Sequence, residues 1–285
     1  MKIVALGELL WDLFPTGPTL GGAPANFTLH AQGLGAEARL ISRVGADSLG
    51  AEALRILRER GIPVDTIPVD ADAPTGTVEV AVAADGQPTY RILEHVAWDR
   101  ITVTPEARAA VANADALCFG TLAQRDPRSR AAIRELLSLA KPDGLRIFDV
   151  NLRTPFWTAD VIAESLALCN VVKLNEDELA VVGLDLETLR ARYDLKLVAL
   201  TRGANGSVLL TAEQRSEHPG IPTTVRDTVG AGDSFAAALT VGLLAGEPLP
   251  TIHDRASRVA AYVCSQPGAT PLLPAKFATA QETPR

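Results

Sequence analysis

The stretch RIFDVNLRTPFWTADVIAESLALCNVVKL (146–174) contains two short, mostly apolar runs separated by a segment with helical spacing. The runs RIFDV (146–150) and VVKL (171–174) show no regular polar alternation, which is typical of strands buried on both faces. The segment between them predicts a helix over 159–169. A strand, a helix and a second strand in this order favour two parallel strands joined by a helical crossover.

The same alternation extends over most of the chain. Short apolar runs predict further strands at KIVAL (2–6), ARLISRV (38–44), ALCF (116–119) and LVAL (197–200). Helical spacing predicts helices over 24–35, 48–60, 127–140 and 175–182. This order predicts one α/β domain over 1–285, in which a doubly wound, mostly parallel sheet carries helices on both faces.

One segment departs from this alternation. TGTVEVAVAADGQPTYRILE (75–94) has two extended runs around Asp85-Gly86, a dipeptide that favours a hairpin turn. GELLWDLFP (7–15) alternates loosely as well and is a partner for it. Because a lone hairpin is only marginally stable in water, these pieces must pack on something. We interpret them as a small β-sheet lid over 8–20 and 75–98, and an ordinary surface hairpin is the alternative.

Charge and composition exclude several classes of protein. The 285 residues carry a formal net charge of −7, which argues against a general nucleic-acid or membrane-surface binder. The three cysteines are far apart and include no CxxC pair, so a disulfide framework or a zinc knuckle is not expected. No apolar run reaches the roughly 18 residues of a membrane span. The apolar N-terminal run is too short for a signal-peptide core, which predicts a cytoplasmic protein.

The segment DTVGAGDSFAAALTVGLL (227–244) is the most distinctive candidate site. Its small residues Gly230, Ala231 and Gly232 lead into a helix near Asp233. Such a loop directs backbone N–H groups at one point, and the helix dipole adds positive potential there. This suits an oxyanion or a phosphoryl group in transfer. The alternative is that Asp233 only caps the helix.

Three further segments place polar residues where predicted elements begin or end. In GGAPANFTLHAQGLG (21–35), paired glycines precede a helix with Asn26 in its first turn, which suits sugar hydroxyls or simply a tight turn. In KLNEDEL (173–179), Asn175 and Glu178 share one helix face, which suits hydrated Mg²⁺ or simply an acidic first turn. LTRGANGS (200–207) suits a loop against a nucleotide phosphate, or equally a plain hairpin.

Several catalytic motifs are missing from the sequence. No Walker A loop, HExxH or GxSxG motif is present, and no kinase HRD or DFG motif is found. No GxGxxG follows a predicted strand, so a nicotinamide dehydrogenase is poorly supported. A different reaction is therefore expected on this doubly wound sheet.

Together these segments resemble the PfkB carbohydrate kinases, the ribokinase-like family. The resemblance rests on GG-x-x-x-N (21–26), on Asp47-Ser48-Leu49-Gly50 and on DTVGAGDSF (227–235), in the family's order and over nearly the whole chain. Within the family the chain is similar to fructokinases, in the segments GELLWDLFP, VAWDR (96–100), FGTLAQRD (119–126), DVNLR (149–153) and PGATP (267–271). The family's fold is a doubly wound α/β sheet with a small β-sheet lid, which agrees with the hairpin.

The resemblance implies roles for particular residues. Asp233 would be the general base, and Gly230, Ala231, Gly232 and the Asp233 backbone would form the anion hole. The sugar would be held by Asp12, Gly22, Asn26 and Arg153. The nucleotide would contact Lys173, Asn175, Thr201, Gly203 and Gly206. Glu178 would organise Mg²⁺ through water, and Asp227 would border a K⁺ site.

The implied reaction transfers the γ-phosphoryl group of ATP to a sugar hydroxyl, with fructose giving fructose 6-phosphate. Mg²⁺ and ATP are the implied cofactors, K⁺ is a further one, and a homodimer through the lid is the implied assembly. Ribose, 2-keto-3-deoxygluconate or a nucleoside are alternative substrates within the family. A non-catalytic sugar sensor is an alternative of another class, but the base, the anion hole and the NxxE motif together argue against it.

Overall fold

The computed structural model of the chain describes residues 1–15, 17–82 and 88–278. In chain order the strands are β1 (Lys2–Leu6), β2 (Leu10–Phe14), β3 (Gly17–Gly21), β4 (Glu37–Ile41), β5 (Val44–Gly45), β6 (Val69–Asp70), β7 (Gly76–Val82), β8 (Pro88–Ile92), β9 (Ala116–Gly120), β10 (Leu145–Asp149), β11 (Val171–Asn175), β12 (Leu197–Thr201), β13 (Ser207–Leu210) and β14 (Arg215–His218). The helices are α1 (Ala23–Gly33), α2 (Ser48–Glu59), α3 (Pro105–Asn113), α4 (Pro127–Ser138), α5 (Ala159–Leu168), α6 (Glu176–Val182), α7 (Leu186–Arg192), α8 (Ala231–Leu244) and α9 (Leu249–Cys264).

The main sheet has eight strands in the order β14-β13-β12-β11-β10-β9-β1-β4. The strands from β12 to β4 in this order are parallel to their neighbours, whereas β13 and β14 pair antiparallel at one edge. The predicted α/β fold with a mostly parallel sheet is therefore confirmed.

Both faces of the main sheet are buried, as the missing polar alternation predicts. In β1, Ile3 and Ala5 belong to one apolar core, which also contains Phe27 of α1 and Phe235 of α8. Val4 and Leu6 point the other way, into a second core that includes Ile133 of α4. The central strands are mostly apolar because both of their faces are covered by helices.

One predicted strand is interrupted. ARLISRV was expected to be a single strand over 38–44, but β4 ends at Ile41 and Val44 starts the short strand β5, which pairs with β6. Arg43 lies between them, and its Nε atom is 2.8 Å from Oδ2 of the buried Asp70 in β6. Arg43 thus pairs with a buried carboxylate at the point where the chain leaves the main sheet.

Most helix starts in the described part of the chain are capped by side chains, but those of α1, α8 and α9 are not. Thr104, Asp126 and Thr158 accept hydrogen bonds from the first turns of α3, α4 and α5, a contribution of about 1 kcal/mol each. α1 and α8 follow the glycines Gly22 and Gly230 instead, and no side chain among the described residues takes the N-cap position of either helix. The N–H groups at these two helix starts are therefore left to other partners.

A second, four-stranded sheet lies outside the main one, in the order β3-β2-β7-β8. GELLWDLFP supplies β2, which pairs in parallel with β7, while β7 and β8 form the predicted antiparallel pair. The predicted turn at Asp85-Gly86 lies outside the described residues. The indole N–H of Trp11 donates to the carbonyl of Leu49 at 3.0 Å, which ties this sheet to α2. The small extra sheet is confirmed, and its action as a lid stays a prediction.

Membrane insertion has no structural support in the described ranges, where no helix is both long and apolar enough to cross a bilayer. The cytoplasmic location expected from the sequence stays a prediction.

Candidate active site

The candidate residues gather at the carboxyl edge of the main sheet, where the parallel strands end. The chain leaves β1 toward β4 on one side and later reaches β9 on the other side of β1, so the connections diverge at this point. Ligands in doubly wound sheets bind where the connections diverge in this way. The N-termini of α1 and α8 lie together at this edge, because a side-chain hydrogen bond joins their first turns.

Asp233 and Asn26 form that bond. Asp233 lies in the first turn of α8 and Asn26 in the first turn of α1, and Nδ2 of Asn26 donates to Oδ2 of Asp233 at 2.8 Å. Asp233 does not cap its own helix, so the capping alternative raised by the sequence does not describe it. The carboxyl is oriented from a neighbouring helix and keeps part of its surface exposed.

The first turn of α8 presents a glycine-lined helix end. Gly230 has φ 79°, and a Cβ atom there would come within 2.2 Å of the carbonyl oxygen of Ala269, so only glycine fits. The amide of Ala231 donates to the carbonyl of Thr228 at 3.3 Å. The amides of Gly232 and Asp233 are first-turn groups that no intrahelical carbonyl accepts. Of the residues predicted to form the anion hole, Gly232 and Asp233 thus have amides without an intrahelical acceptor.

Lys173 stands behind this helix end. A Cβ atom on Gly232 would come within 2.7 Å of Nζ of Lys173, so the glycine gives the ammonium access to the start of α8. Nζ also contacts Oδ1 and Oδ2 of Asp149 at 3.0 and 3.2 Å, and the two residues are direct neighbours in register on β11 and β10.

The ammonium of Lys173 stays charged although it is buried. Burial alone would lower the pKa of Lys173, but the carboxylates of Asp149, Glu178 and Asp233 outweigh it and raise that pKa. Burial raises the pKa of Asp233, against the hydrogen bond from Asn26 and the charges of Lys173 and Arg153. A cation and a proton acceptor thus lie beside the same helix end.

Asn175 and Glu178 form a capping box at the start of α6. Oδ1 of Asn175 accepts from the amide of Glu178 at 2.8 Å, and Oε2 of Glu178 accepts from the amide of Asn175 at 2.9 Å. Oε1 of Glu178 accepts from the amide of Leu152 at 3.0 Å, which ties α6 to the loop after β10. Burial raises the pKa of Glu178. Glu178 therefore does serve as part of an acidic first helical turn, as the alternative to a magnesium role stated. Each oxygen of its carboxylate still keeps a lone pair for another partner.

The predicted nucleotide segments lie side by side. Asn175 and Thr201 end the neighbouring strands β11 and β12 in direct register. Gly203 and Gly206 lie in the turn between β12 and β13, where the amide of Arg202 donates to the carbonyl of Gly206 at 2.8 Å. The turn does join two antiparallel strands, as the hairpin alternative stated. Its place at the carboxyl edge keeps it available for a nucleotide.

Asp12 reaches the site from the second sheet. A Cβ atom on Gly21 would come within 2.4 Å of Oδ2 of Asp12, so the carboxyl lies over the glycine pair that precedes α1. Burial raises the pKa of Asp12 to about 6, Arg153 opposes this and Asp227 adds to it. Arg153 is exposed in the loop after β10, and its charge lowers the pKa of both Asp12 and Asp233.

Asp227 accepts two backbone hydrogen bonds in the segment that precedes α8. Oδ1 accepts from the amide of Val229 at 3.0 Å and Oδ2 accepts from the amide of Gly268 at 3.2 Å. These bonds hold the segment that leads into Gly230 against the segment that follows α9. The potassium role of Asp227 stays a prediction.

Two site residues were missed by the sequence reasoning, Glu8 and Asp149. Both are buried at the carboxyl edge, and Asp149 pairs with Lys173. A usable signal was present, because each carboxylate stands at or just after the end of an apolar strand. Both lie in segments similar to fructokinases, GELLWDLFP and DVNLR, but the resemblance assigned a role to Asp12 and Arg153 in these segments and none to Glu8 or Asp149.

A magnesium ion fits these residues only as a hydrated ion carried by phosphates. No group of three or more His, Cys, Asp or Glu side chains that could hold a metal is found across 1–15, 17–82 and 88–278. Mg²⁺ usually keeps several waters and is bound by one or two carboxylates plus substrate phosphates. The free lone pairs of Glu178 are suited to such water ligands.

The doubly wound sheet, the carboxylate at a glycine-lined helix start and the small sheet beside it are the features that the resemblance to the ribokinase-like carbohydrate kinases implies. The family model described as pfkB family carbohydrate kinase matches residues 16–276. The chain belongs to this family of carbohydrate kinases, and the resemblance seen in the sequence is confirmed.

Individual relatives are similar over most of their length. A fructokinase of Klebsiella pneumoniae is 31% identical over 86% of this chain and 85% of its own. The aminoimidazole riboside kinase of Salmonella typhimurium is 29% identical over 84% of this chain and 79% of its own. The crystal structure of the uncharacterized sugar kinase PH1459 from Pyrococcus horikoshii in complex with ATP has a TM-score of 0.82 and 28% identity, and covers 94% of each chain.

Proposed function

We propose that this protein transfers the γ-phosphoryl group of ATP to a hydroxyl of fructose, giving fructose 6-phosphate. The observation that carries the proposal is the 2.8 Å hydrogen bond from Asn26 to Asp233, which fixes a carboxyl at the glycine-lined start of α8. The ATP complex of a similar sugar kinase supports ATP as donor. The similar fructokinase supports fructose as acceptor.

The chemical step requires a general base and groups that stabilise the negative charge on the transferred phosphoryl group. A sugar hydroxyl next to Asp233 would give its proton to the carboxylate while its oxygen bonds to the γ-phosphorus. The bond between this phosphorus and the bridging oxygen breaks, and its electron pair leaves with ADP. Asn26 holds the Asp233 carboxyl in one orientation during this transfer.

Charge on the transferred group would be received by α8 and Lys173. The amides of Gly232 and Asp233 and the dipole of a 14-residue helix point to the same place. Lys173 adds a full positive charge that Asp149 fixes there. Phosphoryl transfer depends on positioning and charge neutralisation more than on covalent chemistry, which suits this arrangement.

Two ions complete the proposal. Mg²⁺ would neutralise phosphate charge and orient the transferred group. Glu178 and Asn175 would hold it through water and phosphate, and the segment around Asp227 would hold K⁺. Neither ion alters the roles proposed for Asp233, Asn26 and Lys173.

The experiment that tests the substrate is a coupled measurement of ADP release over a panel of acceptors. Fructose, ribose, aminoimidazole riboside, adenosine and 2-keto-3-deoxygluconate are compared at saturating Mg²⁺ and ATP. We expect the highest kcat/KM with fructose. A kcat/KM at least tenfold higher for another acceptor would overturn the fructose assignment and leave the kinase assignment standing. No ADP release with any acceptor would favour the sensor.

Replacing Glu178 by Gln tests the magnesium role. We expect the half-saturating Mg²⁺ concentration to rise by roughly tenfold or more, the size seen for outer ligands of metal sites. We also expect kcat to fall and the affinity for fructose to change little. Glu176→Gln is the matched control, since Glu176 is exposed in the same helix turn. An unchanged Mg²⁺ dependence of E178Q would reduce Glu178 to a helix cap.

The second sheet is proposed to pair with a second copy of the chain. Leu10 and Val78 pack with Phe14 and Ile92 on one face of this sheet. Leu10 and Val78 are already buried within one chain, so the half-buried Phe14 and Ile92 are the apolar surface that a partner would cover. We expect a homodimer in light scattering, and Phe14→Ser should shift it toward monomer. Val225→Ser, at an exposed apolar residue after β14, should leave the dimer intact. A monomeric wild-type protein at high concentration would contradict this assembly.

A further inference from the structure

Glu8 is a buried carboxyl that the mechanism above does not use. It lies two residues after the end of β1 and is 2% exposed. Its Oε2 atom has no hydrogen-bond partner among the described residues, and neither has the buried Oδ1 atom of Asn26. Buried polar atoms are normally paired, so two unpaired acceptors in residues of one site call for an explanation.

Glu8 occupies the start of α1. The backbone of Ala23, the first residue of the helix, lies close enough to the Glu8 carboxyl to lower its pKa. Gly22 at the N-cap has no side chain to cap the helix, and a Cβ atom there would come within 3.3 Å of Cγ of Glu8 and 2.4 Å of its carbonyl oxygen. The Glu8 side chain therefore packs against the start of α1, where the helix dipole favours a negative charge.

The first turn of α1 is the one that carries Asn26. The amide of Asn26 donates to the carbonyl of Gly22 at 2.9 Å, and its side chain donates to Asp233 at 2.8 Å. A continuous set of contacts thus runs from Glu8 through the first turn of α1 to the candidate base. We propose that Glu8 is a positioning residue, whose carboxylate holds the first turn of α1 and through Asn26 sets the orientation of the Asp233 carboxyl.

The charge of Glu8 changes near neutral pH. Burial raises the pKa of Glu8 to about 7, with Arg153 opposing this rise and Asp233 adding to it. The groups that face it are Arg153 from the loop after β10, Asp233 from α8 and Cys118 from β9. The orienting carboxylate is therefore charged above about pH 7 and neutral below it.

This pKa has a defined effect on stability. Because the pKa of Glu8 in the folded protein lies above the ordinary glutamate value of 4.5, the contribution of Glu8 to stability falls as pH rises from 4.5 to about 7 and stays lowered above that. Glu8→Gln removes this loss. If Glu8 served only to stabilise the fold, Glu8→Gln would lower the melting temperature. The melting temperature of this variant therefore separates a stabilising role from a positioning role.

The experiment compares wild type, Glu8→Gln, Asn26→Ala and the double variant at pH 8. Glutamine keeps the length and an acceptor oxygen, so E8Q removes only the negative charge at the start of α1. We expect E8Q to melt no lower than wild type and to lose about 10- to 10²-fold in kcat, the size produced by misplacing a reacting group. In the N26A background, E8Q should change kcat by less than about twofold, because the contact it acts through is already gone. Glu106→Gln, exposed in the first turn of α3, is the matched control.

The inference rests on Asp233 as the base, and a second readout separates the two claims. The side-chain amide of Asn26 should titrate near pH 7 in the NMR spectrum of wild type and lose this titration in E8Q. Unchanged kcat in E8Q, a lower melting temperature with unchanged kcat, or independent effects of E8Q and N26A would overturn the positioning role. If wild type shows no turnover, the kinase proposal is refuted instead. The NMR spectrum then still tests Glu8, because an Asn26 amide signal that titrates equally in wild type and E8Q refutes the positioning role.

Discussion

Asp233→Asn is expected to lower kcat by about 10²- to 10⁴-fold, the usual contribution of a general base. The asparagine has nearly the same size and can still accept the hydrogen bond from Asn26, so the change removes the proton acceptor and little else. Fructose binding, measured by calorimetry, should be kept. Since burial raises the pKa of Asp233, the ionised carboxylate lowers stability at neutral pH, and the variant should melt no lower than wild type.

Asp160→Asn is the matched control for this variant. Asp160 also lies in the first turn of a helix, α5, and is exposed. We expect its kcat to stay within about twofold of wild type, as for most surface changes. If D233N turned over fructose at close to the wild-type rate, Asp233 would not be the base, whatever the family of the chain.

Asp12→Ala is expected to raise the KM for the sugar by roughly 10²-fold or more, since a hydrogen bond to a charged group contributes about 1.5–3 kcal/mol and two are lost. The KM for ATP should barely change, because Asp12 belongs to the second sheet and the 201–206 turn to the main one. In wild type the sugar KM should also rise as pH falls through about 6, where the Asp12 carboxylate gains a proton. This rise should be absent in D12A.

Glu79→Ala controls for loss of charge on the same sheet. Val78 pairs with Asp12 across β2 and β7, so the exposed Glu79 next to it lies on the opposite face. Its ion pair with Arg91 is exposed and contributes little. An unchanged sugar KM in D12A, or an equal rise in E79A, would remove Asp12 from the sugar site.

Much of the fold could be predicted from the sequence because its strands are buried on both faces. Such strands lack polar alternation, so RIFDV and VVKL stood out, and the helices between them fixed a parallel sheet. The extra sheet was predictable because GTVEVAV alternates where the other strands do not. The break after Ile41 was not predictable, because the pairing of Arg43 with Asp70 at this point joins residues 27 positions apart that only the folded chain brings near.

Site residues that belong to family motifs were predicted from the sequence. Those whose roles depend on contacts with residues distant in sequence were missed. The proximity of Asn26 to Asp233, 207 positions apart, came from the family resemblance and not from spacing. Asp149 and Glu8 matter through Lys173 and Ala23, which are distant in sequence. Sequence alone also could not weigh Glu178 between cap and metal ligand, because its two backbone contacts leave room for both roles.

The most direct test of phosphoryl transfer is the phosphorus NMR spectrum of wild type incubated with fructose, ATP and Mg²⁺. We expect a sugar phosphate monoester to appear in equal amount with ADP, and we expect D233N under the same conditions to form almost none. Inorganic phosphate as the only new species besides ADP, or no loss of ATP at all, would contradict the proposal that this protein transfers phosphate to a sugar hydroxyl.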